Sequence, residues 1–193
     1  MKWKELISRF VLSRYRDDNR ERKGCSLRKA ESVGLLYLER DHAFYRTIKD
    51  LAKHLHEEFG VKKVSILSYV DDNAKRTPSW LVKKLDSGYF CKSDLNWYGR
   101  PKKEIDAFIE VDFDILFDLE LEPNLPLKHV LNMSCAKMKV GSEQEDWPNR
   151  DYDVQIGRIE HTPNNDEEIV DPMIVWKEQI ERTFKFISEA NIQ

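Results

Sequence analysis

Apolar residues recur along this chain with two distinct periods. Trp3, Leu6, Ile7, Phe10 and Val11 fall at i, i+3, i+4, i+7 and i+8, which predicts an amphipathic helix whose stripe needs a surface to cover it. Arg14, Arg16, Arg20, Arg22, Lys23, Arg28 and Lys29 follow without apolar rhythm, so residues 16–30 read as a basic, partly exposed connector broken at Gly24. At Glu31 the texture changes. Ser32–Leu38 is a short apolar run, the pattern of a strand covered on both faces. Asp41 is then placed to N-cap a helix carrying Phe44, Ile48, Leu51, Leu55 and Phe59 on one stripe, with Gly60 as its C-cap. A second strand at Val64–Tyr69 completes a βαβ unit, whose crossover is right-handed.

Beyond the polar turn Asp71–Asp72–Asn73, the pattern predicts a short helix around Ser79–Leu85 and a third strand at Tyr89–Cys91. Residues 94–101 form a loop rich in aromatics and turn formers. A helix over Lys102–Ile109 would turn Ile105, Phe108 and Ile109 inward. Strand Phe113–Leu119, helix Pro126–Ser134 and strand Ala136–Val140 follow, the last stopping at Gly141. Tyr152–Ile159 reads as a final strand between two acidic loops. The closing helix begins near Pro172 and carries Trp176, Ile180, Phe184 and Ile187. This alternation predicts a three-layer α/β sandwich: a largely parallel, Rossmann-like sheet of about five to six strands with helices on both faces. Residues 1–30 form a basic amphipathic arm, and 31–193 the α/β domain.

Charge sharpens that division. The 193 residues carry a formal net charge of −3, but residues 1–30 hold ten Lys/Arg against four Asp/Glu, a net of +6. The rest of the chain therefore carries −9. A basic arm on an acidic body points to an anionic partner, or to an arm that packs on its own domain. Three cysteines, Cys25, Cys91 and Cys135, with no CxxC spacing frame neither disulfides nor a zinc site, and fit a reducing, cytoplasmic compartment. Charges interrupt the first fifteen residues too often for a secretory signal.

The run FDILFDLELEPNLPLKHVLNMSCAKMKVG at Phe113–Gly141, preceded by DLNWYGRPK at 94–102, resembles an uncharacterised family of small bacterial α/β proteins. That resemblance covers most of residues 31–193 and implies an architecture without an assigned chemistry. The same segment is similar to the acceptor half of heptosyltransferase-like GT-B glycosyltransferases, in which a strand ending in Asp, a helix and a strand ending in Gly follow one another. Those enzymes hold their nucleotide sugar in a second Rossmann domain, for which these residues leave no room.

On open α/β sheets ligands sit outside the carboxyl ends of the strands, near the point where strand order reverses. The sequence places Glu39, Arg40 and Asp41 after the first strand and Asp71–Asn73 after the second. Lys92 and the Asn96–Trp97–Tyr98–Gly99–Arg100 loop follow the third, and Asp118 the fourth. No GxGxxG and no GxxxxGK[ST] occurs, so no tightly bound dinucleotide or other cofactor is expected. Asp114 and Asp118 stand about 13 Å apart on one strand, too far for one metal ion. His54 and His56 lie about 200° apart around a helix and share no ligand. Hence no metal is expected either. Cys25, among Arg20, Arg22, Lys23, Arg28 and Lys29, would favour its thiolate if exposed.

The candidate ligand-binding residues are accordingly Lys92, Asn96, Trp97, Arg100 and Asp118. Aromatics interleaved with cations at Trp97, Tyr98, Arg100, Lys102 and Lys103 can stack on bases or sugars and pair with phosphates; alternatively, the tryptophan covers a core edge. Arg14, Arg16, Arg20, Arg22, Lys23, Arg28 and Lys29 are the candidate nucleic-acid contacts. The resulting expectation is a non-catalytic binding protein for RNA or a ribonucleoprotein. Its rivals are a small enzyme acting on a sugar or nucleotide in the crevice, and a peripheral protein on an anionic membrane surface.

Overall fold

The computed structural model describes residues 3–14, 20–82, 84, 87–144, 147, 151–159 and 171–190. Six strands form one parallel sheet: β1 (Ser32–Leu38), β2 (Lys63–Val70), β3 (Ser87–Cys91), β4 (Ile115–Asp118), β5 (Met138–Ser142) and β6 (Val154–Ile156). Their order is β3-β2-β1-β4-β5-β6, the doubly wound strand order, with one helical crossover in each half, α2 (His42–Phe59) between β1 and β2 and α4 (Leu125–Met133) between β4 and β5. Strand order reverses between β1 and β4, and there the carboxyl ends of the two halves diverge. In β1 the central residues are all buried, because helices cover both faces.

One face carries α2 (His42–Phe59) and α5 (Pro172–Glu189), packed through Phe44, Ile48, Leu55, Trp176, Ile180 and Phe184. The other carries α3 (Asp106–Ile109) and α4 (Leu125–Met133), whose Leu127, Val130 and Leu131 meet Leu36, Phe113 and Leu116. α2 follows its local signals throughout. The Asp41 carboxylate accepts the Phe44 N–H, and Gly60 closes the helix at φ 72°, donating to the Leu55 and His56 carbonyls.

α1 (Trp3–Arg14) lies outside α4, and its orientation is unexpected. It buries Ser8 and Leu12 while Trp3, Leu6 and Phe10 face outward. From Arg20 on, the connector passes along the amino end of the sheet. Arg20 donates to the carbonyls of Ala136 and Lys137, both at 2.9 Å, and to the Asp153 carboxylate at 2.5 and 2.6 Å. Further on, the Leu27 N–H donates to the Ile187 carbonyl, and the Leu27 side chain is fully buried in the α2–α5 core.

Other expectations shift for local reasons. No helix forms at 79–82, where Trp80 instead reaches back so that its indole N–H donates to Glu39 at 3.3 Å; residues 83, 85 and 86 lie outside the described set. The helix expected over Lys102–Ile109 splits into a 3₁₀ turn, Lys103–Ile105, and the short α3. β4 and β6 are shorter than their apolar runs, since Phe113 and Tyr152 leave the ladder to fill the α4-side core. β5 continues through Gly141 rather than stopping there. A Cβ at that position would stand 2.3 Å from the Tyr152 ring, so this glycine makes room for a side chain rather than ending a strand.

Candidate functional site

At the carboxyl ends of β1 and β4, polar side chains converge in the interior. Asp118, the last residue of β4, turns inward and is 3% exposed. Its Oδ2 accepts from Lys128 Nζ of α4 at 3.0 Å and from the Tyr152 hydroxyl at 2.7 Å, while Oδ1 accepts the Glu120 N–H. Lys128 also donates to Tyr152 Oη, and its ammonium lies over the Tyr152 and Trp147 rings. A lysine with no exposed surface cannot reach a substrate, so this cluster braces β4, α4 and the start of β6. Asp118 was expected among the ligand-binding residues; the geometry makes it a buried counter-ion instead.

Glu120 sits beside that brace, where strand order reverses. Its Oε1 accepts the Leu38 N–H at 2.8 Å and its Oε2 the Arg40 guanidinium at 2.9 Å, while Gln144 donates to the Glu120 carbonyl. Burial pushes the carboxyl up to about 7, although Arg40 and the Leu38 N–H pull the other way. Glu39, also buried, accepts from the Tyr37 hydroxyl and the Trp80 indole, and burial raises its pKa too. The Asp41 carboxylate already occupies the start of α2, the place where a dinucleotide's pyrophosphate would rest. Among the described residues, no group of three or more His, Cys, Asp and Glu is arranged to hold a metal ion.

The predicted loop forms a tight, self-bonded turn. Asn96 Oδ1 accepts the N–H groups of Tyr98 and Arg100, and Gly99 adopts φ 97°, which a side chain would disfavour. Asn96 is therefore a turn former. Lys92 donates to the Asp71 carbonyl and pairs with its carboxylate, tying β3 to β2. Arg100 leans on Met133 through Nε at 3.3 Å from Sδ. Trp97 stays 60% exposed, edge-on to Tyr98.

Of the basic series, Arg14 is exposed above the Phe10 ring, and Arg20 is the buried staple just described. Arg22 lies 3.9 Å from Asp153, Arg28 stacks on Phe59, and Lys23 and Lys29 are exposed. Arg16 lies outside the described residues. Cys25 is half-buried, and its thiol pKa is raised, chiefly by burial and then by Asp114, overriding the nearby cations.

Two of these groups meet on α4. His129 accepts or donates at Ser8 Oγ, 2.9 Å away, and the Tyr98 ring stacks edge-on against it at 5.9 Å. α1 and the loop thus share one outer face. In the sequence His129 has no partner at metal-ligand spacing and Lys128 is not among the candidate residues; a lysine and a histidine inside the apolar run LPLKHVLNM are the available signal.

Fold and site together define a Rossmann-like, doubly wound α/β protein with a strand-reversal crevice and an added helix over its α4 face. The chain belongs to DUF6913, a family of unknown function, whose pattern matches residues 4–171 and so includes the N-terminal helix. No curated protein and no solved structure matches it.

Proposed function

We propose that this chain is a non-catalytic binding protein that docks on an anionic lipid surface through the outer face of α1. The observation that carries the proposal is the part of the α1 stripe left uncovered: Ser8 and Leu12 are inside and Ile7 and Val11 half-buried, while Trp3, 75% exposed, stands outside with Leu6 and Phe10. Exposed Lys4 and Arg14 accompany that stripe, and the Trp97 loop with exposed Lys102 and Lys103 packs on the same α4. An interfacial helix binds through buried apolar area plus attraction of its cations to acidic headgroups. No helix of the described residues is long and apolar enough to cross a membrane, so the contact proposed is peripheral.

Co-sedimentation with phosphatidylglycerol vesicles tests this. Each aromatic buried contributes roughly 1.5–3 kcal/mol, so Trp3→Ser with Phe10→Ser should lower partitioning at least about tenfold. Lys4→Gln with Arg14→Gln should weaken it mainly at low salt. Wild-type protein that stays in the supernatant at low ionic strength refutes the proposal. RNA is the second reading, favoured by exposed Trp97, edge-on to half-buried Tyr98, beside Lys102 and Lys103. It requires filter binding that Trp97→Ala abolishes and that Trp3→Ser leaves intact.

A further inference from the structure

Away from the α4 face, a cleft of about 700 Å³ opens where strand order reverses, between the ends of β1 and β4 and the first turns of α5. That volume is in the range of small-molecule sites, and the crevice is where ligands of open α/β sheets bind. Leu121, Met173 and Val175 supply apolar lining, and Arg40 and Arg158 reach it from the two halves of the sheet.

Each of these arginines is anchored through one end of its guanidinium. Arg40 lies on the Phe44 ring, 4.1 Å from its centroid, and gives Nη2 to Glu120. Both Glu120 oxygens are thereby engaged, one by Arg40 and one by the Leu38 N–H, so Glu120 orients the guanidinium and offers no free oxygen. Arg158 gives Nη2 to Glu122 at 2.6 Å. A guanidinium has five N–H donors, and the remaining ones of both side chains have no protein partner among the described residues. The rim carboxylates each give one oxygen to a neighbour, Glu122 Oε1 to Arg158 and Asp171 Oδ1 to the Met173 N–H at the start of α5. The unmet capacity of the two anchored side chains is for acceptors, next to an apolar wall.

We propose that this cleft binds a small amphipathic organic anion, its carboxylate or phosphate head held by Arg40 and Arg158 and its body against Leu121, Met173 and Val175. Arginine forks suit both heads bidentately. The mode differs from dinucleotide binding, because the start of α2 is closed by Asp41.

Isothermal titration of the full chain with octanoate and with phenyl phosphate tests the proposal, with octan-1-ol and octylamine as uncharged and cationic counterparts. One-to-one binding of at least one anion is expected, with neither counterpart matching it. Arg158→Gln should weaken that binding about tenfold, the usual loss for a charged hydrogen bond. Arg158 is on the rim and its partner is exposed, so this variant should fold; Arg40→Gln, which strands buried Glu120, is the secondary test. The Trp3→Ser, Phe10→Ser protein should bind the anion as wild type does, which separates the cleft from α1. The proposal is overturned if neither anion saturates the protein, if octanol or octylamine binds as well, if Arg158→Gln binds like wild type, or if the α1 variant loses the binding.

Discussion

The buried Lys128–Asp118 pair stands where a Rossmann-like protein often keeps its chemistry, and its energetics separate a brace from a reactive group. Replacing Asp118 by Asn keeps the shape and the bond to the Glu120 N–H but leaves the Lys128 ammonium without a counter-charge. The two side chains are 0% and 1% exposed, so bulk water cannot compensate either charge. Removing one partner of such a pair costs about 3–5 kcal/mol, whereas removing both charges is often neutral. With a urea slope of roughly 2 kcal/mol/M, Asp118→Asn or Lys128→Met should lower the unfolding midpoint by about 1.5–2.5 M. The double variant should recover most of that loss, giving a coupling energy of at least about 3 kcal/mol. Urea titrations followed by tryptophan fluorescence supply the cycle. Single variants that unfold like wild type, or a double variant as unstable as the sum of the singles, would refute the brace. A single variant more stable than wild type would instead mark a strained group kept for function.

Acidification should reveal two opposed titrations. Glu120, raised to about 7 by burial, binds its proton in the folded state first, so its contribution rises as pH falls from 7 toward its unfolded value of about 4.3. His129, lowered to about 4 by burial and then by Arg100, does the reverse: the unfolded chain protonates first below about 6.5, and stability is lost as pH falls toward 4. Glu120→Gln should remove the compensating gain, so its deficit relative to wild type should widen from pH 7 to 4.5, by at most about 3 kcal/mol; parallel urea midpoints across that range would contradict the assignment. In the connector, Leu27→Ala should cost about 2–5 kcal/mol, while Lys29→Gln on its exposed neighbour should shift thermal unfolding little. Equal, small effects of both would show the connector to be undocked.

How much of this was readable depends on the range of the interactions. α2 was legible from cap to cap, because Asp41, its apolar stripe and Gly60 act within one or two turns. β1 and the parallel sheet followed from unbroken apolar runs alternating with helical stripes. The strand order was not legible, since pairing β1 with β4 joins residues about 80 apart in sequence, and the run at 32–38 does not name its neighbours. Asp118 was rightly placed at the carboxyl end of its strand, but its partners come from residues 128 and 152, and only their convergence turns it inward. Gly141 looked like a strand stop because its reason for being glycine, the Tyr152 ring, is equally remote. α1 was legible in part: the period gave the helix, but its buried line runs through Ser8 and Leu12, with Ile7 and Val11 half-covered, and the partner of Ser8, His129, lies far along the chain.

That placement of α1 bears on the charge asymmetry of the chain. A basic arm on an acidic body invites the picture of a loose cationic tail seeking a polyanion. Yet Arg20 is buried against two carbonyls and Asp153, Arg22 leans on the same carboxylate, and Leu27 anchors the connector in the opposite core layer. Part of the positive charge therefore closes the amino edge of the sheet. The consequence for α1 is positional. It is held by Ser8 on His129 at the middle of α4, and the chain that follows is stapled by Arg20 just beyond the end of α4. α1 buries Leu12 beside Ser8 and half-covers Ile7 and Val11, but with Trp3, Leu6 and Phe10 turned to solvent it forgoes part of the burial that would ordinarily stabilise it. Such an arrangement makes physical sense when the apolar side meets a surface supplied from outside, and that is why the outward stripe, more than the count of basic residues, supports the docking reading.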